Sequence, residues 1–267
     1  MSPFTDQIDQ ADSLDLDLDH TLSQIPFVAL SHGNRPLAMQ HAFIFLPDGW
    51  NMNQDLTDQS ALADTSRTLV LREVAQANSA HIPGEYDESK EIARRIPGAK
   101  LESATLWRSG LNLNIAGGST LQSDVAEADV LHYTGHGIEE NKSIAPPGQS
   151  SFVVSGGSML RCRLAVLAAC RTFDQRENIA EDVPSFTRIL LQAGAKNVIA
   201  TQWDVDSRMT QKLMVRFYAE LANHQTFAEA LRRAQSSIQS EPAAAHPYFW
   251  SAFQLVGRPP TTVRGKT

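Results

Sequence analysis

Two short apolar segments that each stop at a reactive side chain constrain the fold of this chain more than any other feature. Residues 130–137 read VLHYTGHG and present His136 between two glycines, and residues 164–172 read LAVLAACRT and present Cys170 after two alanines. Apolar runs of this length, bounded by glycine or polar residues, predict buried strands. A histidine and a cysteine at neighbouring strand ends can act as base and nucleophile in acyl chemistry.

Composition narrows the class of protein. At 267 residues with 42% hydrophobic side chains, the chain can bury a substantial core, and its length fits one large α/β domain about as well as two small ones. A formal net charge of -7 and a pI near 5.6 argue against a nucleic-acid binder, which needs a basic face. No apolar run approaches the roughly 20 residues that span a bilayer. Neither nucleic acid nor a membrane is therefore an expected partner.

The chain has two cysteines, and they bracket one predicted strand. At about 3.3 Å per residue, that strand would hold Cys162 and Cys170 roughly 26 Å apart, which is too far for a disulfide. The same separation argues against a single zinc site made from these cysteines with His132 and His136. We expect no metal or other cofactor. Two unpaired thiols suit a reducing compartment, so a cytoplasmic location is expected.

Strands alternate with helices along the chain. Besides the strand that leads to Cys170, the apolar pattern predicts strands at residues 27–30, 42–46, 68–74, 129–133, 197–201 and 250–256, and the strand at 129–133 leads to His136. Capping and breaking residues predict helices at residues 85–96, 184–192, 206–221 and 226–239, and a short helix ending near residue 128 and capped by Ser119 or Ser123. This alternation predicts an α/β fold with a largely parallel sheet covered by helices on both faces.

The first 23 residues form an acidic leader that contains six aspartates, and no lysine or arginine precedes Arg35. We expect this leader to be disordered, with an edge strand at residues 14–19 as the alternative. The predicted division is a leader at 1–23, one domain at 24–258 and a short tail at 259–267.

Reactive groups in open parallel sheets gather at the carboxyl ends of the strands. His136 and Cys170 both follow predicted strands, so we expect them at that edge. His132 lies inside its strand and is expected to be a hydrogen-bonded core residue.

These segments, taken in order, resemble the CHAT domain, a caspase-related group of clan CD cysteine peptidases often joined to TPR repeats. The matching stretches are IPFVAL, PLAMQHAFIFLP, IPGEYDESKEIARRI, ADVLHYTGHG, LAVLAACRT, LLQAGAKNVIATQWDVDSRMTQKLMVRFYAEL, FAEALRRAQ and HPYFWSAFQLVG. They span residues 24–257. The resemblance implies a caspase-like three-layer sandwich with a mostly parallel central sheet between helices.

The resemblance also implies roles for individual residues. The catalytic histidine would be His136 and the nucleophile Cys170, with the backbone N–H groups of Gly137 and Cys170 stabilising the oxyanion. The substrate would be a protein or peptide. Because no TPR array is visible in this sequence, a separate regulatory protein or the leader would control the enzyme.

Four further residues are candidates for substrate contacts. Phe173 stands where the family often has a glycine, and its ring can line the pocket for the residue before the cleaved bond. Trp203 is a candidate pocket wall or a core residue. Asp204 and Asp206 are candidates for binding a basic side chain, and a helix N-cap is the alternative for Asp206.

The sequence leaves other functions open. The leading interpretation is a cysteine endopeptidase with a Cys-His dyad, and the alternative is a catalytically inactive CHAT scaffold that serves as an interaction module. A thioesterase-like or ligase-like enzyme that transfers an acyl group is a third candidate. The charged segment 174–182 beside the nucleophile is interpreted as a solvated loop, with processing during activation as a further hypothesis.

Overall fold

A ten-stranded sheet organises the chain in the computed structural model, which describes residues 5–19, 22–32, 35–47, 66–73, 85–109, 112–135, 149–156, 160–170, 172 and 186–257. In chain order the strands are β1 (Ser13–Leu16), β2 (Ser31–His32), β3 (Arg35–Pro36), β4 (Ala42–Phe45), β5 (Thr68–Glu73), β6 (Lys100–Ser109), β7 (Asn112–Gly117), β8 (Val130–Thr134), β9 (Ser150–Val154), β10 (Leu164–Ala168), β11 (Asn197–Thr201) and β12 (Phe253–Gly257). The helices are α1 (Thr5–Asp9), α2 (Glu85–Arg95), α3 (Leu121–Glu127), α4 (Phe186–Gln192), α5 (Ser207–Ala222) and α6 (Phe227–Gln239).

The strand order of the large sheet is β1-β4-β12-β11-β10-β8-β5-β6-β7-β9, and β2 and β3 form a separate pair. The run from β11 through β10, β8 and β5 to β6 is parallel throughout. Antiparallel pairing occurs where β12 meets β11 and where β7 joins β6 and β9. The prediction of a mostly parallel sheet is therefore confirmed.

The central strands are covered on both faces. Every residue of β8, β10, β11 and β12 is buried, and because successive side chains of a strand point to opposite faces, both faces must be packed. Helix α2 packs against α5, and α5 against α6. Within the described ranges, no helix is long and apolar enough to cross a bilayer.

Two long helices begin where the sequence predicts, because side chains satisfy their first free N–H groups. The Asp206 carboxylate accepts a hydrogen bond from Met209 N–H at 2.9 Å, and the Thr226 hydroxyl accepts one from Glu229 N–H at 3.2 Å. Each bond removes an unsatisfied donor from the first turn of its helix. The cap predicted for α3 is different: that helix follows Thr120 with no side-chain cap.

The acidic leader is partly ordered, and the expectation of disorder is wrong for Ser13–Leu16. This segment is β1, an edge strand that pairs in parallel with β4. Leu14 and Leu16 pack against the core while Asp15 is exposed. Alternation of leucine and aspartate therefore gives one apolar face, and its burial offsets the poor strand preference of aspartate.

Other boundaries also differ from prediction. Residues 27–30 form a 3-10 turn at Phe27–Ala29 instead of a strand, because Ala29 N–H and Leu30 N–H bond to carbonyls three residues back. The last strand begins at Phe253 rather than residue 250, since Trp250 and Ser251 still bond to the preceding turn. Strands β6, β7 and β9 were not predicted.

Helix α4 ends at a glycine that this fold requires. Gly194 has a φ of +116°, and a Cβ at this position would lie 2.5 Å from the Leu160 carbonyl oxygen. Leu160 N–H bonds to Ala193 O at 2.8 Å, which holds the two segments together. Gly98 after α2 also has a positive φ, +75°, but a Cβ there would meet nothing within 4 Å.

This contrast predicts different costs for the same substitution. We expect Gly98→Ala to lower the free energy of unfolding by roughly 1 kcal/mol, the strain of a positive φ alone. Gly194→Ala adds a clash with backbone and should cost about 3 kcal/mol or more. Urea denaturation of the two variants measures the difference. Equal losses would contradict the steric role of Gly194.

Candidate active site

Strands β8 and β10 end side by side, which brings the two sequence motifs to one edge of the sheet. They pair in parallel from Val130↔Leu164 to Thr134↔Ala168. Gly135 therefore leaves the sheet beside the turn that carries Cys170. His136 and Gly137 lie outside the described residues, as do Phe173 and segment 174–182. The adjacency of the two strand ends is confirmed, and the roles of His136 and Gly137 stay predictions.

A recess of about 350 Å³, part of which is open solvent, lies at this edge. The residues that line it come from α2, from the ends of β8 and β10, and from the start of α5: Glu88, Thr134, Gly135, Ala168, Ala169, Cys170, Val205, Ser207 and Thr210. Cys170 and Gly135 thus share one recess. The arrangement exposes a thiol beside polar side chains, which is what nucleophilic chemistry requires.

The two cysteines have contrasting environments, although both are free thiols. Cys162, before β10, is fully buried, and its Sγ donates a hydrogen bond to Leu164 O at 2.9 Å. Burial raises the pKa of the Cys162 thiol to about 12. Cys170, after the same strand, is partly exposed. Of the two thiols, Cys170 is therefore the one that solvent can reach.

Gly135 lies so close to the side chains of Tyr133 and Glu73 that a larger residue would not fit there. A Cβ at this position would overlap Tyr133 Oη and would lie 2.8 Å from Glu73 Cβ. Tyr133 is buried, so its ring has little room to move away. A side chain at position 135 would displace the end of β8, and with it the segment that leads to His136.

A buried polar network lies behind Thr134 and Gly135. His132 Nε2 lies 3.1 Å from Glu88 Oε1 and 2.9 Å from Thr134 Oγ1, while Nδ1 lies 3.1 Å from Tyr218 Oη. The Thr134 hydroxyl donates to Glu88 Oε1 at 2.9 Å. The prediction that His132 is a hydrogen-bonded core residue is confirmed.

The hydroxyl of Tyr218 is a hydrogen-bond donor in this network. Burial and the nearby Glu88 carboxylate raise the pKa of Tyr218 well above its usual value, so its hydroxyl keeps its proton. That hydroxyl can donate to His132 Nδ1, while His132 Nε2–H faces Glu88 and Thr134. The network joins α2, β8 and α5 through buried side chains.

The predicted substrate-binding residues after β11 lie near the recess without lining it, as far as the described residues go. Val205 lines the recess. Trp203 Nε1–H donates to Tyr248 O at 3.1 Å, and the Asp206 carboxylate caps α5. The helix-cap alternative for Asp206 is confirmed. Contacts of Trp203, Asp204 and Asp206 with a substrate stay predictions.

Most of the residues that line the recess were not predicted from the sequence. Glu88, Thr134, Ser207 and Thr210 were not among the candidates. A signal for Glu88 exists, since it lies four residues before Ile92 on one face of α2 and both side chains are buried. A glutamate on the apolar face of a helix indicates a buried partner.

The buried network predicts a large loss of stability when Glu88 is removed. Glu88→Ala leaves His132 and Thr134 without their carboxylate partner, and we expect unfolding to become about 3 to 5 kcal/mol more favourable. Glu91→Ala, one turn further along α2, removes pairs with Arg94 and Arg95 that are partly exposed and should cost less than about 1 kcal/mol. Chemical denaturation compares the variants, and similar losses for both would rule out this account.

Two known proteins are similar to this chain in sequence. Human tetratricopeptide repeat protein 28 is 30% identical over 121 residues, which is 44% of this chain and 5% of that protein. The mouse protein of the same name is 29% identical over 121 residues. The chain thus spans about 5% of the length of these relatives.

Two solved structures are similar to this chain at low sequence identity. Separase from Saccharomyces cerevisiae, solved with securin, matches 90% of this chain and 15% of that chain with a TM-score of 0.54 and 12% identity. The complex of Porphyromonas gingivalis RgpB pro- and mature domains matches 73% of this chain and 47% of that chain, with a TM-score of 0.47 and 14% identity. The separase match supports a caspase-like fold.

The family model of the CHAT domain matches residues 1–258, nearly the whole chain. It begins before the predicted domain start at residue 24 and includes the edge strand β1. The resemblance noted from the motifs is confirmed, and the chain belongs to the CHAT-domain family.

Proposed function

We propose that this CHAT domain is a cysteine endopeptidase that hydrolyses peptide bonds of protein substrates through a Cys170–His136 dyad. One observation carries the proposal: the partly exposed Cys170 lines a recess together with Gly135, the residue directly before His136. The parallel pairing of β8 and β10 brings both segments to this edge. Family membership supports the same chemistry.

The proposed reaction proceeds through an acyl-enzyme. His136 takes the proton of the Cys170 thiol, and the thiolate attacks the carbonyl carbon of the substrate. Collapse of the tetrahedral intermediate breaks the C–N bond, and His136 protonates the leaving amine. Water, deprotonated by His136, then hydrolyses the thioester and releases the acid. Backbone N–H groups of Gly137 and Cys170 stabilise the oxyanion, and loss of one such donor typically lowers kcat about 100-fold or more.

The choice of Cys170 over Cys162 follows from their surroundings. Nucleophilic attack needs a thiolate, and burial holds the pKa of Cys162 near 12 with its Sγ bonded to Leu164 O. Phe173, Trp203, Asp204 and Asp206 are the candidates for contacts with the substrate side chain. One carboxylate oxygen of Asp206 is already bonded to Met209 N–H.

We further propose that a regulatory protein partner controls the enzyme, in a reducing cytoplasm where both thiols persist. The separase structure contains securin as a bound partner, and the similar human protein is named for its tetratricopeptide repeats. These facts belong to the relatives, and they support a partner for this chain by analogy.

Peptide cleavage tests the proposal directly. Incubation with a peptide library, read by mass spectrometry, should show hydrolysis that is lost in Cys170→Ala and in His136→Ala, with a decrease of at least about 1,000-fold for either variant. Cys162→Ala is the matched control and should retain activity if the variant folds. Acyl transfer to an added amine or thiol in place of hydrolysis would favour the ligase-like or thioesterase-like alternative.

Thiol labelling separates the enzyme from the inactive scaffold. At pH 8 the Cys162 thiol, with its pKa near 12, should be about 0.01% thiolate and buried. We therefore expect iodoacetamide to modify Cys170 in the native protein and to spare Cys162. The rate at Cys170 should fall in His136→Ala if the imidazole activates the thiol. An unchanged slow rate, together with no cleavage in the presence of partner proteins, would favour the scaffold.

A further inference from the structure

We propose that the hydroxyl groups of Thr172 and Thr201 are positioning groups that orient the Ala169–Cys170 peptide, and with it the Cys170 N–H as an oxyanion donor. This inference rests on the proposed function. We call the two side chains the hydroxyl clamp. Both threonines are fully buried, and they lie where β10 ends and the chain turns at Cys170.

The hydroxyl clamp lies just beyond the point where the backbone pairing of β10 with β11 ends. Strands β10 and β11 pair at Ala165↔Val198 and Val166↔Ile199. Beyond Val166 the strand continues to pair with β8, as far as Ala168, but its register with β11 has ended, so backbone groups on the β11 side near Cys170 need other partners. Thr201, the last residue of β11, supplies one hydroxyl, and Thr172, two residues after Cys170, supplies the other.

The hydroxyl and the backbone N–H of both threonines donate hydrogen bonds near the turn. The Thr201 hydroxyl donates a short hydrogen bond to Ala169 O. Thr201 N–H donates to Thr172 Oγ1 at 3.0 Å, and Thr172 N–H donates to Thr201 Oγ1 at 3.4 Å. The Thr172 hydroxyl lies 3.3 Å from both Ala169 O and Leu167 O, which are its acceptors.

The far side of the turn is also held. Thr187, on α4, donates its hydroxyl proton to Thr172 O at 3.3 Å. The residue before Cys170 and the second residue after it are therefore both tied to neighbouring elements. Hydrogen bonds at Ala169 and at Thr172 restrict where the chain can place Cys170, as a pre-organised site requires.

The clamp acts on the peptide group that bears the proposed oxyanion donor. Ala169 C=O and Cys170 N–H belong to one planar peptide, and no cis peptide bond occurs in the described residues. In a trans peptide the N–H points opposite to the C=O. Because the carbonyl points to Thr201 of β11, the Cys170 N–H points away from β11. Strand β10 lies between β11 and β8, so the N–H is directed to the side of Gly135.

Hydrogen bonds to the Ala169 carbonyl also strengthen the donor. Electron density drawn toward the carbonyl oxygen leaves the N–H of the same peptide more positive, and the effect is larger in a buried environment. The clamp thereby contributes orientation and polarisation to one N–H group. Neither contribution requires a contact between the threonines and the substrate.

The test compares Thr201→Val, Thr201→Ser and Thr172→Val with the wild type. Valine keeps the shape of threonine and removes the hydroxyl, whereas serine keeps the hydroxyl. Thr105→Val is the matched control, since Thr105 is buried in β6 and its hydroxyl has no hydrogen-bond partner in the described part of the chain. Thr172→Val removes the other hydroxyl that donates to the Ala169 carbonyl, so it tests the same contact if Thr201→Val does not fold.

We expect Thr201→Val to lower kcat about 10- to 100-fold with KM changed less than about twofold, and Thr201→Ser and Thr105→Val to stay within about threefold of wild type. A peptide aldehyde, whose adduct with Cys170 carries an oxyanion, should bind more weakly to Thr201→Val by a similar factor. Alkylation of Cys170 by iodoacetamide forms no oxyanion, and its rate should stay within about twofold. A parallel loss of alkylation would show general distortion and overturn the inference.

Crystal structures of wild type and Thr201→Val keep the inference separate from the proposed function. If the wild type cleaves no peptide, the proposed function fails, while a rotated Ala169–Cys170 peptide in the variant would still establish the clamp. An unrotated peptide, or full kcat in a folded Thr201→Val, would overturn it.

Discussion

The parallel pairing of β8 with β10 is the constraint on which the rest of the site depends. All five residues of each strand are buried, and a shift of one residue in the pairing would exchange the side chains that face each side of the sheet. Because both faces are closely packed, such an exchange would put side chains of the wrong size into each face, so packing favours one register. The register in turn fixes the level at which each chain leaves the sheet. Gly135 and Cys170 meet at one recess because Thr134 and Ala168 are partners.

Polar groups are concentrated where this pairing ends. On the β8 side, Glu88, His132, Thr134 and Tyr218 share buried hydrogen bonds, and on the β11 side Thr172 and Thr201 share another set. Apolar side chains fill most of the remaining core. Strand ends release backbone groups from the sheet, and buried groups need partners. Losing one partner from a buried hydrogen-bonded network leaves the remaining polar groups unsatisfied, which costs more free energy than a comparable change between apolar side chains. These networks therefore favour one geometry at the edge that carries the candidate nucleophile.

The sequence predicts those elements whose signal lies within a short stretch of the chain, and it does not predict those that depend on distant residues. Strands β8, β10 and β11 are continuous apolar runs, and α5 and α6 begin at Asp206 and Thr226, so short windows identify them. Strand β6 was not predicted because only its middle residues, 104–107, are buried, and the residues on either side of them are exposed or partly exposed. Strand β1 was misjudged because the partner that covers its leucines, β4, lies 29 residues later in its register. Cys170 was recognisable from its motif, whereas Glu88 and Thr201 acquire their roles from partners 44 and 29 residues away. The position of Glu88 on the apolar face of α2 indicates that it has a buried partner, but the sequence does not identify that partner, because the fold defines which residues meet.

The two cysteines show how strand direction determines chemistry. Each flanks β10, one before its first residue and one after its last, so they share the strand and differ in which end they occupy. At the amino end, packing encloses Cys162 and burial raises the pKa of its thiol to about 12. At the carboxyl end, the chain must turn out of the sheet, which opens a recess and leaves Cys170 partly exposed. In a parallel sheet the neighbouring strands turn out at that same edge, so ligand-binding and reactive groups commonly lie there. The direction of β10 together with the burial of Cys162 therefore distinguishes the candidate nucleophile from the buried thiol, before any neighbouring base is considered.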